Sequence, residues 1–119
     1  TLFPYTTLFR SGPYMTTVDE IPDPHALSIQ TWLNGMLVQN DSTASMIHKV
    51  ADLISYISTF TMLSPGDVII TGSPGGVGKK RNPPLFMHEG DCVEVAIEKL
   101  GRLTNTIVES TSPANSFSI

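Results

Sequence analysis

Thr71-Gly72-Ser73-Pro74-Gly75-Gly76-Val77-Gly78 is the stretch of this chain whose residue types and spacing could do chemistry. It packs four glycines into eight residues and follows directly on the apolar run Val68-Ile69-Ile70. Glycine lets backbone amides approach a ligand closely and take up positive φ, as an anion-binding nest requires. Thr71 and Ser73 add hydroxyl donors around Gly72. Nucleotide loops fail on spacing. A Walker A loop needs four residues between its glycines and then Lys followed by Ser or Thr. Here Lys79 is followed by Lys80, and Asn82-Pro83-Pro84 forbids the expected helix. A dinucleotide fingerprint fails too, since there is no Gly-x-Gly-x-x-Gly and no βαβ unit around it. A purely structural Gly-Pro turn stands as the alternative.

The other titratable residues make weaker cases. Asp19, Glu20 and Asp23, interleaved with Pro22 and Pro24, read as an acidic entry loop rather than as metal ligands. Glu94 and Glu98 share a strand face but stand roughly 13 Å apart along it, too far for one ion. His25, His48 and His88 lack a Ser, Cys or Asp partner at triad spacing and read as surface residues. Cys92 opens a strand beside acidic residues, a setting that does not activate a thiol. Lys79, Lys80 and Arg81 read as a solvated loop tip.

Several elements must position the glycine-rich octet. Leu27, Ile29, Thr31 and Leu33 alternate with polar residues or Trp32, a strand period. Asn34-Gly35 is a strong two-residue hairpin signal, with Met36 to Gln39 as the returning strand. Met46, Ile47, Val50, Leu53, Ile54, Ile57 and Phe60 recur at helical spacing, predicting an amphipathic helix from Ser45 to Phe60 whose apolar face is central to the core. Ser42, Thr43 and Ser45 are candidate N-caps, and His48, Asp52, Ser55 and Thr59 fall on the wet face. Gly66-Asp67 launches Val68-Ile69-Ile70, expected to be a strand buried on both faces. Gly90-Asp91 launches Cys92 to Glu98, with Val93, Val95 and Ile97 on one face. Leu100-Gly101 turns into a third strand, Leu103 to Val108. One helix among about five strands outside βαβ order gives an α+β class with a mixed, mostly antiparallel sheet.

Length and composition set the remaining bounds. At 119 residues, 40% hydrophobic and 15% charged, the chain suits one domain with a core. A net charge of −4 argues against a nucleic-acid partner. No apolar run reaches the roughly 20 residues of a membrane span. The single cysteine allows no internal disulfide and suits a cytoplasmic setting. Residues 1–11 look foreign to the rest and resemble a translated sequencing-adaptor remnant, the alternative being a genuine β-rich segment. Residues 12–110 carry the domain, and 111–119 a Ser-rich frayed tail.

The run from Leu63 to Pro74, then Gly76-Val77-Gly78 and Gly90-Asp91, resembles the signature of the fumarylacetoacetate hydrolase family. So do Asp19 to Pro24, Asn34-Gly35, Gln39, and the Met46-Ile47 helix with Ile54-Ser55-Tyr56. Pro83-Pro84 with Phe86 is similar to its acylpyruvase and hydroxy-diene-dioate isomerase branch. The resemblance implies a β-sheet roll, a homodimer, and a Mg²⁺ or Mn²⁺ site acting on 2,4-dioxo or 2-hydroxy-dienoic acids. It places Thr71, Gly72 and Ser73 as substrate-binding residues, Ser73 standing where the family usually has Thr. The family's metal-binding Glu-x-Glu pair and Asp, its lysine and its water-activating His–Glu pair would all fall before Gly12. No catalytic or metal-ligating residue is therefore expected in this sequence. Two readings follow: part of a metal-dependent hydrolase or isomerase, or a structural and dimerisation piece inactive alone.

Overall fold

The computed structural model describes residues 11–108. The leader boundary at 1–11 falls almost wholly, and the tail at 111–119 wholly, outside them. The hairpin forms as the sequence requires. Strand β1 (Ser28–Leu33) turns at Asn34-Gly35 into β2 (Met36–Ser42). Asn34 and Gly35 have φ of 50° and 79°, the left-handed pair of a type I′ turn. Strands β3 (Cys92–Ile97) and β4 (Gly101–Thr106) form a second hairpin, and the sheet runs β2-β1-β3-β4, antiparallel throughout.

The register sorts the two faces. Ile29, Thr31 and Leu33 lie opposite Ile97, Val95 and Val93, and Leu103 lies opposite Val95, giving one largely apolar face. Trp32, Glu94 and Arg102 share the other. There Arg102 Nη1 donates to Glu94 Oε2 at 2.7 Å, and its guanidinium carbon stands 4.5 Å from the centroid of the Trp32 ring. In β2 the pairing steps from Gln39 to Leu37, so Val38 is an extra, bulged residue.

Gly66-Asp67 and Gly90-Asp91 form the same turn. Ser64 N–H donates to Asp67 Oδ2 and Asp67 N–H to the Ser64 carbonyl, at 2.7 and 3.1 Å. His88 and Asp91 repeat both bonds at the same distances. Gly66 and Gly90 have φ of 99° and 86°, which a side chain would oppose.

Several sequence expectations are corrected. Val68-Ile69-Ile70 is not a strand: among the described residues its backbone makes no hydrogen bond, and Val68 and Ile70 are 84% and 71% exposed. A strand is a property of a pair, and no partner lies alongside. The helix is also shorter than expected, α1 covering only Val50–Ile57. Ser42 caps a separate 3₁₀ turn at Thr43–Ser45, and turns follow at 58–60. The α1 N-terminus is held from afar instead. Val50 N–H donates to His25 Nε2 at 3.1 Å, and Asp52 Oδ2 accepts from Lys49 N–H at 3.3 Å. His25 is thus a half-buried cap rather than a bare surface residue.

No residue of α1 is buried, so its apolar face is not the centre of the core. Among the described residues the buried hydrophobic ones are Ile21 and Leu27, in the segment before β1, and Leu33 at its end.

Candidate functional site

The glycine-rich octet folds back over the apolar face of the sheet, and Gln39 holds it there. The Gln39 side-chain amide donates to the carbonyls of Pro74 and Gly75, 3.1 Å each. The contact below is equally close. A Cβ on Gly76 would lie 2.9 Å from the Val38 carbonyl, and φ at Gly76 is 94°. Only glycine fits between the loop and the bulge of β2. Arg81 Nη2 donates to that same Val38 carbonyl at 2.7 Å. The bulge therefore frees one carbonyl to seat the loop, and re-aiming of this kind is a common use of bulges beside sites. The loop closes with Leu85 N–H donating to the Gly78 carbonyl at 3.0 Å, and a Cβ on Gly78 would collide with the Leu85 carbonyl.

Between this loop and the sheet lies a cleft of about 450 Å³, within the range of about 300–1,000 Å³ usual for small-molecule sites. Leu33, Val38, Val93, Val95, Phe86 and Met87 make it mostly apolar. Its polar lining comes from Thr31, Gln39, Ser73 and Lys79. Of the three residues singled out in the sequence, Ser73 borders the cleft, while Thr71 and Gly72 are exposed beside it and do not line it. Thr71 does not emerge from a buried strand, because the segment before it is open to solvent.

Lys79 is exposed, as a solvated loop tip requires, and it is also the one charged residue lining the cleft. Its adjacency to the octet was the available signal. Gln39 carries no local signal of its anchoring role, which only the fold brings out.

The remaining carboxylates do not converge. Among the described residues no three His, Cys, Asp or Glu side chains lie close enough to hold a metal ion. Asp91 accepts from the Asn34 side-chain amide at 2.8 Å, which, with the His88 N–H, holds its carboxyl below the usual value. Asp41 is lowered by the Ser45 hydroxyl and the Ser42 N–H. Both serve turns at strand ends.

The sequence matches the profile of the Fumarylacetoacetate (FAA) hydrolase C-terminal region over residues 6–108. The chain belongs to the fumarylacetoacetate hydrolase family. Within it, the chain is 44% identical over 104 residues to oxaloacetate tautomerase Fahd2a, mitochondrial, of Rattus norvegicus, covering 87% of this chain and 33% of that protein. An HpcE protein from Mycobacterium smegmatis superposes with a TM-score of 0.79 at 44% identity, covering 82% of this chain and 36% of the other. Maleylpyruvate hydrolase from Sphingobium sp. SYK-6, in complex with manganese(II) and pyruvate, gives 0.72 at 33% identity, over 82% and 34%. The family's C-terminal fold is thus present, and the chain spans about a third of the length of these relatives.

Proposed function

We propose that this chain forms the substrate-covering part of a divalent-metal-dependent hydrolase or isomerase acting on 2,4-dioxo or 2-hydroxy-dienoic acids. The observation that carries this reading is the cleft under the glycine loop, with Ser73 on its rim and Gln39 pinning the loop above it. In this role the apolar walls exclude water and raise the strength of each polar contact inside. The Ser73 hydroxyl donates to a substrate carboxylate or to oxygen charge developing on it, and a donor held in place needs no reorganisation as charge builds. The relatives, an oxaloacetate tautomerase and a maleylpyruvate hydrolase, support an acid substrate that can enolise.

The manganese of the maleylpyruvate hydrolase supports a divalent ion in the whole enzyme. The residues described here do not fit one: the cleft offers no carboxylate, and Lys79 would repel a cation. We assign no step of the reaction to a metal on this chain, and its ligands in our reading are other residues of the enzyme.

A second reading, a structural and dimerisation piece inactive alone, is favoured by the exposed apolar residues Ile47, Tyr56, Phe60 and Val68. The two readings meet if a homodimer and the rest of the enzyme cover those side chains. A cytoplasmic setting is proposed from the lone cysteine.

A transplant tests the function. Residues 12–108 replace the matching third of the rat relative, and the hybrid is assayed with Mn²⁺ or Mg²⁺ on oxaloacetate and acylpyruvates. Turnover of either substrate class is expected. A folded hybrid turning over neither would overturn the catalytic reading and leave the structural one.

A further inference from the structure

Asn34 is the only asparagine of the chain followed by glycine. In such a pair no side chain screens the glycine nitrogen from the asparagine amide, which makes it the asparagine sequence most open to deamidation. The step needs only the chain and water. The Gly35 nitrogen loses its proton and bonds to Asn34 Cγ, the Cγ–Nδ2 bond breaks, and Nδ2 leaves with a proton as ammonia. Water then opens the imide ring to Asp or isoaspartate. In the folded chain the geometry opposes this. Asn34 is exposed, but its side chain is held at both ends: Nδ2 donates to Asp91 Oδ1, and Oδ1 accepts from Cys92 N–H, 2.8 Å each. Its backbone is left-handed, with φ of 50°. At the ψ of about +47° that goes with this conformation, the Gly35 nitrogen points away from Cβ, whereas ring closure needs the two eclipsed.

We propose that Asn34 is a spontaneous deamidation site which the Asp91 contact keeps closed while the chain is folded, and that reaction there stops the β1–β2 hairpin from docking on β3 as before. Cγ reaches the Gly35 nitrogen only after both side-chain bonds to the start of β3 have broken and the turn has opened. Once oxygen replaces Nδ2, two carboxylate oxygens face each other where a 2.8 Å hydrogen bond stood. A donor has become an acceptor, and like charges at that range repel. His88 stands at the other oxygen of Asp91, with Nδ1 3.9 Å from Oδ2, and does not come between the two. Isoaspartate instead lengthens the backbone of a two-residue turn whose length fixes the register of its strands. The change therefore runs one way: a chain that has opened long enough to react carries the mark at the seam between β1 and β3.

The whole chain is held at neutral pH, folded and in denaturing urea, and peptide mapping follows the gain of one mass unit at residue 34. Asp and isoaspartate are expected to accumulate in urea, and at least about thirtyfold more slowly in the folded chain, the equilibrium worth of two side-chain hydrogen bonds that must open together. Asp91→Ala should speed the reaction severalfold in the folded chain and leave the rate in urea unchanged. Amide dispersion reports whether the fold is intact, and Asp91→Ser is a second replacement should Ala disturb it. Asn34→Asp supplies the product directly. Asp-Gly suits the same turn, so the lower melting midpoint expected of this variant reports the carboxylate pair and not the turn. Adding Asp91→Asn to it restores a donor facing an acceptor and should recover most of the loss. Equal rates folded and in urea, a folded rate unmoved by either Asp91 replacement, or an Asn34→Asp chain that melts with the parent or is not rescued by Asp91→Asn would each overturn the proposal.

Discussion

Gln39 and Pro74 are joined across 35 residues of sequence by a 3.1 Å hydrogen bond, and the same amide also reaches the Gly75 carbonyl. A single β2 side chain therefore sets the height of the glycine loop over the sheet. Gln39→Ala should cost about 1 kcal/mol, the usual net worth of such a bond, and free the loop. Gln39→Glu should be worse, since a carboxylate would face two carbonyls. Hydrogen exchange at the Gly75 and Gly76 amides checks this. Protection unchanged in both variants would mean that the Val38–Gly76 contact alone holds the loop.

Ser73→Ala removes a donor and little volume, so folding should survive. In the transplanted enzyme, kcat/KM on acylpyruvates is expected to fall by about one to three orders of magnitude, the range for losing one preorganised donor. Ser73→Thr keeps the hydroxyl and should be tolerated. Steady-state kinetics decide the point, and unchanged turnover in the Ala variant would reduce the loop to a structural turn.

Leu53 and Ile57 are half-buried on α1. Replacing either by Ala in the isolated chain should cost about 1 kcal/mol, a partial share of a buried side chain's worth, rather than the 2–5 kcal/mol typical of a buried site. Urea melts give the numbers. The same substitutions in the transplant should cost more if the rest of the enzyme covers this face, and equal costs in both settings would argue that it stays open.

Asp91 supplies a pH test. The Asn34 amide, and then the His88 N–H, hold its carboxyl below the ordinary 3.8. A carboxyl whose pKa is depressed on folding stabilises the fold above its unfolded value, and that contribution is lost as pH falls through the folded value. Asn34→Gly keeps the left-handed turn and deletes the amide. The variant should be less stable than the parent at pH 7, and the gap should narrow below about pH 4, where the unfolded carboxyl protonates. Some gap persists, because the deleted side chain also accepts from Cys92 N–H through Oδ1. Denaturant melts at pH 7 and near pH 2.5 compare the two proteins, and a gap constant across that range would deny Asp91 the role.

What the sequence revealed was what neighbours decide. Asn34-Gly35 dictates its turn through its own backbone preferences, and the alternation of Val93, Val95 and Ile97 declares one face of β3. Pairings across long separations were silent. His25 caps a helix 25 residues away, a partner that no local pattern names, and hydrophobic spacing alone ran the helix from Ser45 to Phe60. Lys79 became a cleft residue only because Gln39 folds the loop inward. Thr71, Gly72 and Ser73 looked equivalent in the sequence, and the sheet beneath them separated Ser73 from the other two.

The twin turns at Ser64–Asp67 and His88–Asp91 share both of their internal bonds, yet one feeds a ladder and the other feeds Val68-Ile69-Ile70 with nothing beside it among the described residues. An apolar stretch with idle backbone donors and acceptors is a template for any passing strand, and sheet proteins ordinarily guard such edges with charge, proline or a cover. None of those guards falls within this tripeptide. For the chain handled by itself, this tripeptide is therefore where self-association is expected to begin as concentration rises.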